Sequence, residues 1–272
     1  MKHLLSEIMR GTWLLDVPDP SLYQKLAGAI LAGNFKGAPK PEAYRTIGKT
    51  AYDTTGNAIV KDKVAVISMI GEMTKYNTEC SYGAEYYITE ILKAENDPEI
   101  RGIILKLDGP GGNADALPLF EELAPLIKKP RVSLIDYACS LHYAVAAVFE
   151  SHIMMNNTMT AKVGSIGVQV LFVKPEQEIV VIRPPQSKDK NQEFIDVLNG
   201  DYSKLEADLV PLATHFQNIV KKARPKAKEE AICGKTYYAE DAIKVGLADS
   251  IGNIQDAYNI VLAKSELRNI KK

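Results

Sequence analysis

The chain has few of the features that mark exported, membrane-spanning or metal-binding proteins. It has three cysteines in 272 residues, Cys80, Cys139 and Cys233, and no CxxC pair, so neither a zinc site nor a disulfide framework is predicted. No run approaches the ~18 apolar residues of a transmembrane helix. The first ten residues lack an apolar core followed by a cleavage site. These absences predict a reduced, cytoplasmic setting with no metal, cofactor or membrane partner.

The chain also has no excess of charge of either sign. Its net charge is −1, which argues against a nucleic-acid partner. Apolar residues make up 46% and charged residues 25%, the composition of an ordinary globular protein long enough to bury a sizeable core. Proline and glycine punctuate residues 1–60, which predicts an extended arm with one or two short helices that contacts a partner or another subunit. Residues 61–272 are predicted to form the folded domain.

Apolar segments of two kinds alternate from Lys63 onward. Short β-branched runs predict buried strands, and runs with apolar residues three or four apart predict helices. Alternation of the two kinds predicts an α/β domain with right-handed crossovers and a largely parallel sheet. Pro211 is predicted to kink or divide the last long helix. The predicted strands are 64–70, 102–107, 132–135, 152–155 and 179–182, and the predicted helices are 85–95, 115–128, 143–149 and 205–220.

Three segments are candidates for chemistry. Ser140 follows small residues and precedes an apolar helical run, Gly109-Pro110-Gly111-Gly112 follows a strand, and Lys188 lies 48 residues after Ser140. A serine at a helix start, glycine amides that can stabilise an oxyanion and a lysine base are the parts of a serine–lysine hydrolase. Each part also has an ordinary explanation: a helix N-cap, a strand–helix turn and a solvated lysine.

Four blocks, in order, resemble the signal peptide peptidase A family. They match its oxyanion loop, its nucleophile block, its Gly-Ser-Ile-Gly-Val block and its C-terminal Gly-Leu-x-Asp signature. The resembling segment runs from Val64 to about Gly252 and covers about 190 of the 272 residues. Relatives of this family include the prohead proteases of tailed phages, and its fold is similar to that of Clp protease and crotonase. The resemblance therefore implies repeated ββα units. The blocks are Leu107–Gly112, Asp136–Ala147, Val163–Val168 and Cys233–Gly252.

The resemblance implies a role for each matching residue. Ser140 would be the nucleophile, Lys188 the general base, and Ser165 the hydroxyl that orients the lysine. The oxyanion hole would be formed by Gly111, Gly112 and Leu141. A free lysine amine is a poor base at neutral pH, since its pKa is ~10.4. Burial beside apolar walls would favour the neutral amine.

The sequence departs from the family pattern in three places. Leu141 and His142 follow the serine where the family usually has two glycines, which is expected to narrow the pocket or change specificity. Pro184 and Pro185 occupy a loop that usually contains glycine, so Lys190 is a second candidate for the base. Gly109 replaces a serine, a change expected to matter little.

Three neighbours of Ser140 have simpler roles. His142 is only two residues away, so on a helix its ring would point away from the hydroxyl, and a packing role is expected. Cys139 is expected to be a small buried thiol. Asp136 is expected to brace the turn.

The sequence therefore predicts a serine endopeptidase that uses a Ser140–Lys188 dyad and an acyl-enzyme, with a polypeptide substrate. A homo-oligomeric phage or prophage prohead protease acting on capsid or scaffold protein is the favoured identity. A cytoplasmic signal-peptide-peptidase-like enzyme that degrades peptides is the alternative. A catalytically dead assembly scaffold of the same fold is also kept. An acyl-CoA enzyme of the crotonase type is disfavoured, because its glutamate positions are not evident.

Overall fold

The computed structural model of the chain describes residues 13–15, 25, 28, 29, 32, 40–78, 81–170 and 180–270. The strands are β1 (Trp13–Leu15), β2 (Tyr44–Tyr52), β3 (Ala58–Ile70), β4 (Ile100–Gly109), β5 (Gly111–Asn113), β6 (Arg131–Cys139), β7 (His152–Met155), β8 (Lys162–Gly164), β9 (Thr236–Tyr238) and β10 (Ser250–Ile251). The helices are α1 (Ala84–Asn96), α2 (Leu117–Leu123), α3 (Leu141–Val148), α4 (Gln192–Leu198), α5 (Ser203–Ala223), α6 (Ala239–Lys244) and α7 (Ile254–Ile270).

Eight of these strands form one sheet. Its order is β10-β7-β6-β4-β3-β2, and β8 extends it from β6 and carries β9. The pairs from β10 to β3 are parallel, as is β6 with β8, whereas β2 with β3 and β8 with β9 are antiparallel. The predicted α/β architecture with a largely parallel sheet is confirmed. Parallel strands end at the same edge of a sheet, so the segments that follow β4, β6 and β8 meet there.

The sheet is buried on both faces, which explains its continuous apolar strands. On one face, α7 covers Val64, Val66, Ile104, Val132 and Leu134. On the other face lies the larger core, which includes residues of α1, α2, α3 and α5. Helix α3 is almost wholly buried. The element that follows Ser140 is therefore held in the centre of the molecule.

Most of the predicted elements are observed, with differences at two prolines and one strand. Residues 180–182 form no strand, and Val180 and Ile182 are 78% and 92% exposed. The strand predicted at 179–182 is therefore wrong for these residues, and residue 179 lies outside the described residues. Helix α5 runs through Pro211 as one element. Helix α2 is shorter than predicted and has a 3-10 turn on either side, with Pro125 inside the second one.

The sheet begins N-terminal to residue 60. Strand β2 pairs with β3 from Tyr44 onward, and β1 pairs with β5. Most of residues 1–39, in which short helices are expected, lies outside the described residues. In the described part of the chain, no helix combines the length and the apolar character needed to cross a membrane.

The Gly-Leu-Ala-Asp block fastens the C-terminal part of the chain to the sheet. Both carboxylate oxygens of Asp249 accept hydrogen bonds from the Arg224 guanidinium, each of 2.8 Å, and Oδ2 also accepts the Ile153 amide at 2.8 Å. Nε of Arg224 donates to the Gly246 carbonyl at 3.0 Å. Burial raises the pKa of Asp249, but the bonds from Arg224 and Ile153 outweigh it and hold the pKa below its usual value. The carboxylate thus joins α5 to β7.

We predict that Asp249→Asn lowers the free energy of unfolding by about 2 kcal/mol, because an amide cannot accept all the bonds that the carboxylate accepts. Urea denaturation measures the change. Asp241→Asn is the matched control, since its pair with Lys244 is solvent-exposed and is expected to contribute less than about 1 kcal/mol. Equal losses of stability in the two variants would show that the bonds between Asp249 and Arg224 have no special role.

Candidate active site

Ser140 lies at a sharp turn between β6 and α3. Its backbone has φ 53° and ψ −117°, a conformation that costs energy for any residue with a side chain. Two bonds hold it in place: the Ser140 amide donates to the Gly164 carbonyl at 2.9 Å, and the Ser140 carbonyl accepts the Ala144 amide at 2.9 Å. A serine on a strained strand-to-helix turn is the arrangement of a nucleophile elbow.

The glycine loop lies at the same edge of the sheet. In the pairing of β4 with β6, Gly109 is opposite Ala138, which lies two residues before Ser140. Gly111 has φ +124°, which favours glycine. A Cβ on Gly112 would lie 1.9 Å from the Met73 carbonyl oxygen, so only glycine fits there. The structure thus places both predicted oxyanion glycines beside the serine turn.

Leu141 is the first residue of α3 and is fully buried. The first amides of a helix have no partner within the helix and carry its positive dipole end. Within α3, the Ala144 amide donates to the Ser140 carbonyl. The amides that precede Ala144 in the helix, including that of Leu141, therefore lie at the serine turn. Partial positive charge therefore collects next to Ser140, where an acyl-transfer reaction develops an oxyanion.

His142 is packed into this loop and is only 1% exposed. Burial lowers the pKa of its imidazole to about 4, and a hydrogen bond with the Gly111 backbone opposes this only partly. The ring is therefore neutral at pH 7. Among the described residues its Nδ1 has no hydrogen-bond partner, and no described bond joins the ring to Ser140. These contacts make His142 a packing residue of the loop.

Gly109 and His142 constrain each other. A Cβ on Gly109 would lie 2.4 Å from Cε1 and Nε2 of the His142 ring, and 2.4 Å from the Gly71 carbonyl oxygen. Heavy atoms of this kind do not approach so closely. The replacement of the family's serine by Gly109, expected from sequence to matter little, is thus required by the neighbouring ring and backbone.

The Gly-Ser-Ile-Gly block forms the other wall of the turn. In the pairing of β6 with β8, Cys139 is opposite Gly164, whose φ is +123°. A Cβ on Gly164 would lie 2.3 Å from the Lys235 carbonyl oxygen, the same oxygen that accepts the Ser165 amide at 2.9 Å. Ser165, with φ 52°, therefore sits next to the residue whose carbonyl binds Ser140.

Lys188 makes no described hydrogen bond or ion pair with these groups. It is exposed at the end of the turn Pro185–Ser187, and its carbonyl accepts a bond of 2.8 Å from Arg183. Lys190 is also exposed. Within the described residues, no hydrogen bond or ion pair joins either lysine to Ser140. The structure thus gathers the predicted nucleophile, glycines, Leu141 and Ser165, but not the predicted base.

The remaining polar neighbours brace the sheet. Asp136 forms an ion pair of 3.2 Å with Lys106 and accepts a bond from the Asn156 amide, which links the ends of β4, β6 and β7. The side chain of Cys139 is fully buried. Among the described residues, no group of three His, Cys, Asp or Glu side chains is placed to hold a metal ion.

Two features of the site have only weak signals in the sequence. The Gly164 carbonyl accepts the Ser140 amide, but no strand was predicted at residues 162–164. Strand β1 pairs with the glycine-loop strand β5. Its three residues, Trp13–Leu15, lie in a segment whose proline and glycine content had predicted an extended arm.

The buried imidazole predicts a pH dependence of stability. The unfolded chain takes up a proton on His142 as pH falls through about 6.5, and the folded chain does so only near pH 4. Stability is therefore lost on acidification across this window, by about 3 kcal/mol for a shift of this size. Urea denaturation at pH 7 and pH 4.5 should show a smaller loss for His142→Gln than for the unsubstituted chain. His215→Gln is the control, because it leaves the buried His142 ring in place. An equal pH dependence of stability in His142→Gln and His215→Gln would contradict the prediction.

Comparisons with known proteins show which proteins the chain is similar to. No protein-family model matches the chain. It is 24% identical over 249 residues to the chloroplastic serine protease SPPA of Arabidopsis thaliana, and 26% identical over 216 residues to Protease 4 of Haemophilus influenzae. These matches cover 84% and 74% of the chain but only 36% and 34% of the relatives. The chain therefore spans about a third of their length.

A phage protein and a solved structure are also similar. The capsid assembly protease C of Escherichia phage lambda is 24% identical over 250 residues, which cover 88% of the chain and 54% of the phage protein. The membrane-bound stomatin-specific protease 1510-N matches at a TM-score of 0.42 and 20% identity, over 70% of this chain and 80% of that one. These sequence relatives make the chain similar to serine proteases of the signal peptide peptidase A family.

Proposed function

We propose that the chain is a serine endopeptidase in which Ser140 is the nucleophile. The observation that carries the proposal is the strained turn of Ser140, at φ 53°, set between the glycine loop and the amino end of α3. Backbone strain of this kind persists only where the surrounding structure holds it, and it collects at functional sites. The curated relatives named above as proteases support the same reaction.

The reaction proceeds through an acyl-enzyme. The Ser140 hydroxyl attacks the peptide carbonyl carbon, and its proton passes to the amine of Lys188. Amides of Gly111, Gly112 and Leu141 stabilise the resulting oxyanion, an effect of ~3 kcal/mol per donor in hydrolases. Collapse of the intermediate breaks the C–N bond, and the lysine returns the proton to the leaving amine. Water then hydrolyses the ester by the same steps.

The assignment of Lys188 rests on its place in the chain. The family resemblance implies the role of base for Lys188, which follows Ser140 by 48 residues. Ser165 lies beside the Ser140 turn and marks where a lysine amine would be oriented. Since Lys188 is exposed in this structure, the loop that carries it must move toward Ser140 for catalysis. Lys190 is the second candidate on the same loop.

The substrate that we propose is a capsid or scaffold protein, and the role is prohead maturation by a homo-oligomer. The support is the similarity to the capsid assembly protease of phage lambda, which covers 88% of the chain. A peptide-degrading enzyme like the cellular relatives is the alternative within the family. The exposed position of Lys188 favours a further candidate from another class, a scaffold of this fold without catalysis.

The test compares purified wild type, Ser140→Ala, Lys188→Ala and Lys190→Ala. Intact-mass spectrometry follows each protein alone and mixed with a candidate capsid or scaffold protein. We expect fragments with wild type and Lys190→Ala, and a loss of at least 100-fold in rate for Ser140→Ala and Lys188→Ala, because removing the nucleophile or the base blocks acylation.

A fluorophosphonate probe provides a readout that needs no natural substrate. Labelling of wild type at Ser140, absent in Ser140→Ala, would show an activated hydroxyl. Rapid labelling and cleavage that survive in Lys188→Ala but not in Lys190→Ala would move the base to Lys190. Absence of both labelling and cleavage in the assembled wild type would favour the scaffold.

A further inference from the structure

The N-terminal strand β1 pairs with one edge of β5, the strand formed by the glycine loop. The two strands pair antiparallel, with Trp13 opposite Asn113, Leu14 opposite Gly112 and Leu15 opposite Gly111. They form a two-stranded sheet apart from the main one. Strand β1 therefore lies along the segment that carries both glycines of the proposed oxyanion hole.

The hydrogen bonds of β5 show which edge β1 takes. The Gly111 carbonyl accepts the Met73 amide at 2.9 Å, and the Asn113 amide donates to the Met73 carbonyl at 2.8 Å. A strand directs its backbone groups alternately to its two edges. The amide and carbonyl of Gly112 consequently face the opposite edge, where Leu14 lies.

This outer edge of β5 is where an extended polypeptide would be held for cleavage. Adding a strand to an open sheet edge is a common mode of peptide recognition, in which main-chain bonds supply the affinity. The edge belongs to the loop beside Ser140, and in this structure Ser140 is only 1% exposed. A bound substrate strand and β1 would need the same backbone groups of Gly112.

We propose that Trp13–Leu15 is an internal competitor for the peptide-binding edge of β5. The inference rests on the proposed function, since it takes the edge to be the substrate site. Because β1 belongs to the same chain as β5, its binding is intramolecular, and a free peptide has to compete with an effective concentration of the tethered strand. Three residues make a short strand, so a longer extended substrate displaces it. The partner recognised is thus an extended polypeptide read through its backbone.

The test measures peptide binding in a chain that cannot cleave. In a Ser140→Ala background, fluorescence anisotropy follows binding of a labelled synthetic peptide of residues 10–19. Leu14→Pro removes the amide that a paired strand donates. Leu14→Ala, the matched control, keeps it. We expect the peptide to bind Leu14→Pro at least tenfold more tightly than Leu14→Ala. Equal affinities in the two variants would overturn the proposal.

Hydrogen exchange on the chain without the Leu14 substitutions gives an independent measurement. The Gly112 amide should exchange at least tenfold more slowly than in Leu14→Pro, and circular dichroism checks that the variant is folded. A Gly112 amide that exchanges as fast as an unstructured peptide would also overturn the proposal.

Activity separates this inference from the proposed function. If the chain is a peptidase, Leu14→Pro with Ser140 intact should lower KM at an unchanged kcat. If no variant cleaves but the affinities still differ tenfold, the competitor stands and the peptidase assignment fails. If cleavage occurs with equal affinities and equal KM values, the peptidase stands and the competitor fails.

Discussion

The backbone of Ser140 is the constraint around which the rest of the site is built. A serine at φ 53° is unfavourable by itself, so the turn exists only because both of its peptide groups are bound. The Gly164 carbonyl binds its amide and the first turn of α3 binds its carbonyl. Any change that moves β8 or α3 would release the strain and let the turn relax.

That constraint explains why glycine recurs around the site. Gly164 must approach the Lys235 carbonyl so closely that no Cβ fits, and Gly109 must do the same beside His142 and Gly71. The hydrogen-bonded pair of Arg224 and Asp249 acts from further away. It holds the Gly246–Asp249 turn against β7, and the Leu247 carbonyl in that turn accepts the hydroxyl of Tyr143 at 2.8 Å. Since Tyr143 belongs to α3, the C-terminal signature also positions the helix that follows the serine.

The sequence was informative wherever a local pattern determines structure. Buried strands such as 64–70 and 132–135 were predicted from β-branched runs because the sheet is covered on both faces. The position of Ser140 could be predicted because a strand, a small-residue turn and a helix are consecutive in the chain. Residues 180–182 were mistaken for a strand because their apolar side chains match a strand in sequence yet lie exposed. Periodicity alone cannot separate these two cases.

Contacts between distant segments could not be predicted in this way. Nothing in the spacing of Leu14 and Gly112 indicates that they pair, since nearly a hundred residues separate them. The same holds for Gly109 and His142, whose mutual fit depends on how two strand ends meet. Lys188 is the converse case: its spacing from Ser140 suits a dyad, yet its turn is exposed.

If the loop of Lys188 must close and β1 must leave before peptide cleavage, then both movements converge on Ser140. A substrate strand that displaces β1 from β5 would supply binding energy close to Ser140, where the amine of Lys188 has to arrive. Binding of substrate to the edge of β5 would then be coupled to assembly of the Ser140–Lys188 dyad.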